Sequence, residues 1–545
     1  MRGLFHSRDG NFSALFALSL PVVLLSAGVA LDVSRLSAAK NSLQNSVDAS
    51  LMAASKLQEA PESRELFFTD YLTASASGDP FLLNIQSDFK ADIGANYIAT
   101  EAEASADVPL TIMHAFGQSG RVSVSASAYE STDALEVVMV LDNTGSMAGE
   151  KIKALREAAE EMVGILETVA EDNPQRNIRM GLVPYVTAVN IRGAEFDWSW
   201  IDEEARARFH GANFGTEGVP VTDNSNSKRD SRALLTASGK INHLALYQQL
   251  KVEWKGCVEA RPSDIAVDAA PDYLKPNTLF VPYFAPDEPD FDQSRTSDPA
   301  RKSLTRGDDG NSLNNNYLDD KSGKTKADFP DAHGPVQRSV AKYKNADTSR
   351  IGQSGQLTNG PNRACPTPVV PLTDDFTLLH KAVADMRHWN GSGTNSAEGL
   401  AWGTRVLSPE SPYQGGDAFD SQTTKKVVIL LTDGVNEIFG AKKTPNGSDY
   451  GSYGYLASGR MQKTDAGGAR NNVNAWMKAN CTYLKDRRVD IYTILLKADD
   501  SADNRNLYSG CATDADKYYV VNDVSYLTKV FSKIADNVAA LHFTH

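Results

Sequence analysis

Residues Leu135–Met147 read LEVVMVLDNTGSM, and the fold turns on this stretch. Val137–Leu141 is a short apolar run, the pattern of a parallel strand buried on both faces. It ends at Asp142, with hydroxyls at Thr144 and Ser146 and Gly145 between them. An amphipathic pattern begins near Glu150, with Ile152, Leu155, Ala159, Met162, Ile165 and Leu166 at helical spacing. In open α/β sheets, ligands bind beyond the carboxyl ends of strands. A carboxylate and two hydroxyls crowded there make a hard oxygen site, suited to Mg²⁺, Mn²⁺ or Ca²⁺.

Two distant stretches complete the pattern. In NGSGTNSAEGLAW, Gly393-Thr394 puts a third hydroxyl on a Gly-rich turn before a helical stretch from Asn395 to about Leu407. Lys425–Asp433, KKVVILLTD, is a second buried-strand pattern ending in a carboxylate, with Gly434 next. A lone D-x-T-x-S is a weak signal that any polar loop can carry. The three elements in this order resemble the von Willebrand factor A (VWA) domain and its metal-ion-dependent adhesion site. The resemblance implies that Thr144 and Ser146 bind the cation directly and Thr394 directly or through water. Asp142 and Asp433 would hold coordinated waters. One coordination position would remain for an Asp or Glu of a protein partner. The first Ser of the family motif is Thr144 here, which keeps the hydroxyl. Mg²⁺ is the expected cation, with Mn²⁺ or Ca²⁺ as alternatives.

The chain has 545 residues, enough for about three or four domains. A net charge of −14 with no basic stripe argues against nucleic-acid binding and against attraction to anionic lipid. The four cysteines, Cys257, Cys365, Cys481 and Cys511, form no C-x-x-C pair, so structural zinc is a poor reading. An even number in an exported chain points to two disulfides; four free buried thiols are the alternative. Cys481 and Cys511 flank one strand pattern and make a natural pair. Cys257 and Cys365 would then close the insertion described below, although spacing alone leaves the pairing open.

Gly10–Leu31 is uncharged and mostly apolar, and its 22 residues can span a bilayer core as a helix. Pro21 is tolerable in such a helix. A cleavable signal with Gly28-Val29-Ala30 as its site is the rival reading. Beyond it, Leu36, Leu43, Val47, Leu51, Ala54 and Leu57 continue a helical apolar stripe, the shape of pilin-like N-termini. The segment DGNFSALFALSLPVVLLSAGVALDVSRLSAAKNSLQNSVDASLMAA resembles the N-terminus of TadG-like proteins of the tight-adherence (Tad/Flp) pilus assembly system. Many of these carry a VWA domain after the anchor. The resemblance implies a single-pass bacterial inner-membrane protein with a retained anchor, a short cytoplasmic tip and its bulk in the periplasm.

The expected organisation is a cytoplasmic tip and transmembrane anchor (1–31), an amphipathic stalk helix (32–60) and a small α+β membrane-proximal module (61–131). A Rossmann-like, doubly wound, mostly parallel VWA domain follows in two parts (132–187 and 372–545), split by an insertion (188–371). The insertion is rich in Asp, Asn, Ser, Gly and Pro, and its length implies partial order. Its stretches WKGCVEARPSD, FVPYFAPDEPD and GPNRACPTP resemble blocks of longer TadG-like proteins. An acidic knot at Asp287, Glu288, Asp290 and Asp292, and GDDGNSLNNNYLDD, suggest calcium loops but lack EF-hand spacing, so solvated polar loops are the expectation. In the second half, helices are expected at Asp375–Trp389, Asn471–Arg487 and Val524–Leu541. Strands are expected at Asp490–Leu496 and Lys517–Val521, with a loop at Asn436–Gly468 beside the metal face.

There is no G-x-x-x-x-G-K-[ST], H-E-x-x-H or G-x-S-x-G, so nucleotide binding and common hydrolase chemistry have no motif. His380 and His388 read as ordinary histidines. With no evident base or phosphate-gripping Arg or Lys near the metal residues, an enzyme is not expected. The leading reading is a membrane-anchored pilus-assembly protein in which cation-dependent adhesion binds a pilus or envelope component. The alternatives are a metal-dependent hydrolase using the same residues, a structural scaffold with a degenerate site, and a chelatase-like partner of an AAA-type ATPase.

Overall fold

The structure, a computed structural model, describes residues 10–55, 61–93, 97–131, 134–174, 176–219, 232–289, 314–318, 337–352, 359–391, 393–421, 423–442, 444–497 and 501–539. They form two compact units that divide between Asp133 and Ala134.

The first unit is built on one long helix, α1 (Gly10–Ser55), which contains Pro21 and runs unbroken through Gly28-Val29-Ala30. Its N-terminal half exposes Leu15, Phe16, Leu18, Val22 and Val23. Among the described residues α1 is the helix long and apolar enough to cross a membrane. In the C-terminal half, Ala39, Leu43, Val47, Leu51 and Ala54 bury one stripe. They pack on α2 (Pro61–Ala76) and on an antiparallel sheet of β1 (Leu83–Ile93), β2 (Tyr97–Asp107) and β3 (Arg121–Ser131). Alanines at 102, 104, 106 and 128 floor that sheet, and their small side chains let the helix lie close. Where the apolar span ends, buried Asp32 accepts from the amides of Thr111, Ile112 and Met113 at 2.8–3.0 Å, around the short helix α3 (Ile112–Ala115). The carboxylate at that boundary is therefore fully hydrogen-bonded.

The second unit is a mixed α/β sheet. In chain order its elements are β4 (Ala134–Asp142), α4 (Glu150–Asp172), β5 (Ile178–Tyr185), β6 (Val189–Asn190), α5 (His243–Leu250), β7 (Cys257–Val258) and β8 (Val370–Thr373). Then come α6 (Phe376–Asp385), α7 (Ser396–Leu407), β9 (Thr424–Thr432), α8 (Ala466–Lys485), β10 (Asp490–Leu496), α9 (Ala502–Cys511), β11 (Tyr518–Val521) and α10 (Leu527–Ala539). Strand order is β11-β10-β9-β4-β5-β6-β7, with β8 also paired to β5. From β11 to β5 all pairs are parallel, while β6, β7 and β8 join antiparallel. The strand period of two splits β4 between two cores. Leu135, Val137, Met139 and Leu141 face α4, α6 and α10. Val138 and Val140 face α7, α8, α9 and the aromatic residues of the insertion. Gly399 and Gly403 bring α7 onto β4, since a Cβ on either would stand 2.6 Å from Tyr185 or Val140.

Several expectations need correction. The sheet is less purely parallel than expected, because the insertion itself supplies β6, β7 and the first residues of β8. That strand straddles the expected boundary at 371/372. The helix read as Asp375–Trp389 ends at Asp385; Asp375 caps its start, and Met386 is extended. Ending there lets Trp389 hydrogen-bond Asn143 beside the motif loop, at 2.8 Å. The insertion has its own aromatic core, in which Phe214, Tyr247, Phe284 and Tyr343 meet edge to face. Cys257 is bonded to Cys365 and Cys481 to Cys511.

In the acidic knot, Asp287 and Glu288 are buried rather than solvated. Asp287 accepts from the amides of Tyr317 and Leu318, and Glu288 from those of Asn314 and Asn315, at 2.7–2.9 Å. Burial pushes Glu288 up to about 7. Asp290, Asp292 and most of GDDGNSLNNNYLDD lie outside the described residues, as does Leu57 of the stalk stripe.

Candidate metal centre

β4 and β9 are sheet neighbours whose following helices, α4 and α8, depart to opposite faces. Their carboxyl ends therefore open a crevice at the point where strand order reverses. Leu141 is in register with Leu431, so Asp142 and Thr432 lie level at the strand ends and Asp433 one residue beyond. Asp142 is fully buried; its carboxylate accepts from the Thr144 amide at 2.8 Å and the Thr432 hydroxyl at 2.7 Å. The Thr144 and Ser146 hydroxyls are 2.9 Å apart, and Ser146 donates to Asp433 Oδ1 at 2.7 Å.

The third piece arrives through backbone pairing. Thr394 exchanges both main-chain hydrogen bonds with Glu437, at 3.1 and 2.9 Å, in the loop after β9. Gly393 makes this approach feasible. It has φ +86°, and a Cβ there would lie 2.0 Å from the Glu437 carbonyl oxygen. Thr144, Ser146, Thr394 and Asp433 line one cavity of about 480 Å³, with Asp142 beneath it. The floor is a polar lattice: Tyr185 bonds Ser396 Oγ at 2.9 Å, Tyr508 donates to the Gly434 carbonyl at 3.1 Å, and Asn436 accepts from the Ser396 amide at 2.7 Å.

Burial, and then the neighbouring Asp433, push the Asp142 carboxyl up to about 7. A divalent cation would reverse that tendency by supplying the missing positive charge. Lys151, in the first turn of α4, supplies part of it already, with Nζ 2.6 Å from Asp433 Oδ2. The donor set is all hard oxygen, the chemistry that fits a small divalent cation, which would share Asp433 with the Lys151 ammonium.

Two cations therefore correct the expectation that no Lys or Arg stands near the site: Lys151, and Arg363 of the insertion, which lines the same cavity. Thr432 was also missed, although it directly precedes Asp433. His380 sits between Glu160 and Glu167 of α4, at 2.7 and 3.0 Å, while His388 lies beyond the end of α6.

Residues 10–56, essentially α1, match the family model described as "Putative Flp pilus-assembly TadE/G-like", so the N-terminal segment is TadE/G-like. No curated protein matches the chain. Among solved structures the chain is similar to the vWF domain of the type V pili tip protein Mfa5 from Porphyromonas gingivalis, at 10% identity and TM-score 0.30, over 74% of this chain and 95% of that one. It is also similar to the pilus adhesin RrgA from Streptococcus pneumoniae, at 11% identity and TM-score 0.29, over 84% and 50%. For the pilus adhesin SpaC from Lactobacillus rhamnosus GG the values are 9% and 0.28, over 85% and 35%, so the chain spans about a third of that protein. Likenesses this distant carry no argument.

Proposed function

We propose that this chain is an inner-membrane-anchored, periplasm-facing protein of Flp/Tad-type pilus assembly. Its second unit is read as a doubly wound VWA domain that binds a protein partner through a metal-ion-dependent adhesion site. The observation that carries the proposal is the convergence of Thr144, Ser146, Thr394 and Asp433 on one cavity over buried Asp142, at the crevice between β4 and β9. Counting the edge strand β8, the order β11-β10-β9-β4-β5-β8 is the doubly wound order 3-2-1-4-5-6 read from the far edge. Thr144, Ser146 and Thr394 would hold the cation, and Asp142 and Asp433 would hold its waters. The cation supplies a Lewis-acidic position for a partner's Asp or Glu.

Binding is favoured over catalysis by how the carboxylates are engaged. Asp433 is held by Ser146 and Lys151, Glu437 by Arg470, and Asp142 is buried beneath the cavity. With both oxygens already engaged, Asp433 is poorly placed to take a proton from water as a hydrolase's base would.

The test is thermal melting of the full chain in detergent micelles with EDTA against Mg²⁺ or Mn²⁺, with Asp142→Ala and Ser146→Ala as controls. Metal at a hundredfold over its dissociation constant stabilises by about 2.7 kcal/mol. In a unit this large that raises Tm by roughly 2–4 °C. Identical melting in all conditions sinks the metal reading.

A further inference from the structure

The cavity wall contributed by the insertion carries a buried cation. Arg363 is 2% exposed yet lines the cavity together with Thr144, Ser146, Thr394 and Asp433. Its place is set from two sides. Two residues further on, Cys365 is bonded to Cys257. Opposite, Gly391 at φ +96° lies against the guanidinium, where a Cβ would stand 2.7 Å from Nη2 and 2.9 Å from Nε. The preceding residue, Asn390, touches the motif loop, since a Cβ on Gly145 would be 2.4 Å from its Oδ1. The guanidinium is thus one residue removed from the loop that carries Thr144 and Ser146.

Its donors are underused. Nη1 reaches the Asn314 carbonyl and Asn359 Oδ1 only at 3.4 Å, and Nη2 reaches Asp449 Oδ2 at 3.2 Å. These are at or beyond the long edge of N–H···O bonding. Nε is buried and has no acceptor among the described residues. Guanidinium presents five donors in a fork that matches a carboxylate, and leaving them unmade in a buried site is costly. A carboxylate in the cavity would supply the missing acceptor.

We infer that Arg363 is a second anion anchor of the partner site and that the occupant is an acidic peptide segment with two neighbouring carboxylates. One goes to the metal and the other to Arg363. This inference rests on the metal-dependent reading above. Charge complementarity favours such an occupant. Lys151 already offsets Asp433, Arg470 offsets Glu437, and Asp449 pairs with Arg363 only through Nη2 at 3.2 Å, so the cation and the remaining guanidinium donors are the attractive poles. Phe439 and Val435 line the remaining wall and suit the segment's apolar parts.

The test uses full-length protein in micelles with Mn²⁺ and two labelled hexapeptides, Gly-Ser-Asp-Asp-Ser-Gly and Gly-Ser-Asp-Asn-Ser-Gly. Mn²⁺ binding is followed separately by electron paramagnetic resonance. The wild type is expected to bind the diacidic peptide about tenfold tighter or more, only with Mn²⁺. Arg363→Gln should abolish that preference with Mn²⁺ affinity unchanged, and Arg363→Lys should weaken it by losing the fork. Should Arg363→Gln fail to fold, Gly391→Ala displaces the guanidinium and should give the same loss. A preference that survives these variants, or equal binding of both peptides by the wild type, overturns the second anchor while leaving the metal reading intact. A wild type that binds no Mn²⁺ removes both.

Discussion

Lys151 Nζ lies 2.6 Å from Asp433 Oδ2, while Ser146 holds the other oxygen of the same carboxylate at 2.7 Å. An ammonium therefore already stands where a divalent cation would draw its negative charge. The two compete electrostatically. Lys151→Met should lower Tm in EDTA and tighten Mg²⁺ binding by about tenfold, on the order of 1.4 kcal/mol. Titration calorimetry and melting with and without Mg²⁺ check this. Unchanged Mg²⁺ affinity would show that Lys151 does not feel the metal position.

The two disulfides close loops of different length. Cys257–Cys365 spans a sequence separation of 108 and Cys481–Cys511 one of 30. Loop-closure entropy assigns them about 4.8 and about 3.6 kcal/mol. Replacing both cysteines of the first pair by Ala should cost more in urea melts than replacing the second. It should also disturb the cavity, because Arg363 is two residues from Cys365. An equal or reversed order would place the stabilisation in native-state contacts instead.

At the far end of β4, Glu136 is fully buried and bonded to both Arg179 and Lys426. Burial lowers the Lys426 ammonium's pKa, and Glu136 opposes that. Glu136→Ala would strand a buried charge and should destabilise by about 3–5 kcal/mol. Glu136→Met with Lys426→Met removes that buried pair while Arg179 keeps Asp417 at 2.8 Å, and should cost much less. Denaturant midpoints of the single and double variants decide it.

His380 on α6 is clamped between Glu167 and Glu160 of α4, and they raise its pKa above the ordinary 6.5. A histidine raised on folding adds stability that is fully present below the unfolded value and is lost as pH rises through the folded one. The stability difference between wild type and His380→Gln should therefore be larger at pH 5.5 than at pH 8. Urea melts at both values check it, and a difference independent of pH would mean the imidazole acts only by packing.

Much of the site was legible because its chemistry is local. Val137–Leu141 and Val427–Leu431 are apolar runs with no competing pattern, and each stops at a polar residue that must lie at a strand end. Asp142, Thr144 and Ser146 could thus be picked out as an oxygen-rich strand end from the residues, and the VWA resemblance joined Thr394 and Asp433 to them. Edge strands were not legible. β6 and β7 are two residues long and β8 four, too short for a period of two to register, and their pairing comes from the sheet that receives them. The end of α6 was misread for a related reason: Met386 continues the helical apolar spacing, but the backbone there is extended and carries Trp389 to the motif loop.

Taken by itself, the sequence determined the α/β class of the second unit, the apolar N-terminal helix and the oxygen-rich motif, because periodicity and turn chemistry act over a few residues. Only the tertiary structure decided what surrounds the motif. Lys151 reads as a surface lysine of an amphipathic helix until β9 brings Asp433 beside it. Arg363 reads as part of a polar insertion until the disulfide and Gly391 hold its guanidinium against the cavity. Lys151 and Asp433 are 282 residues apart and Arg363 and Asp449 86, and Coulomb energy depends on distance in space and leaves no local pattern to read.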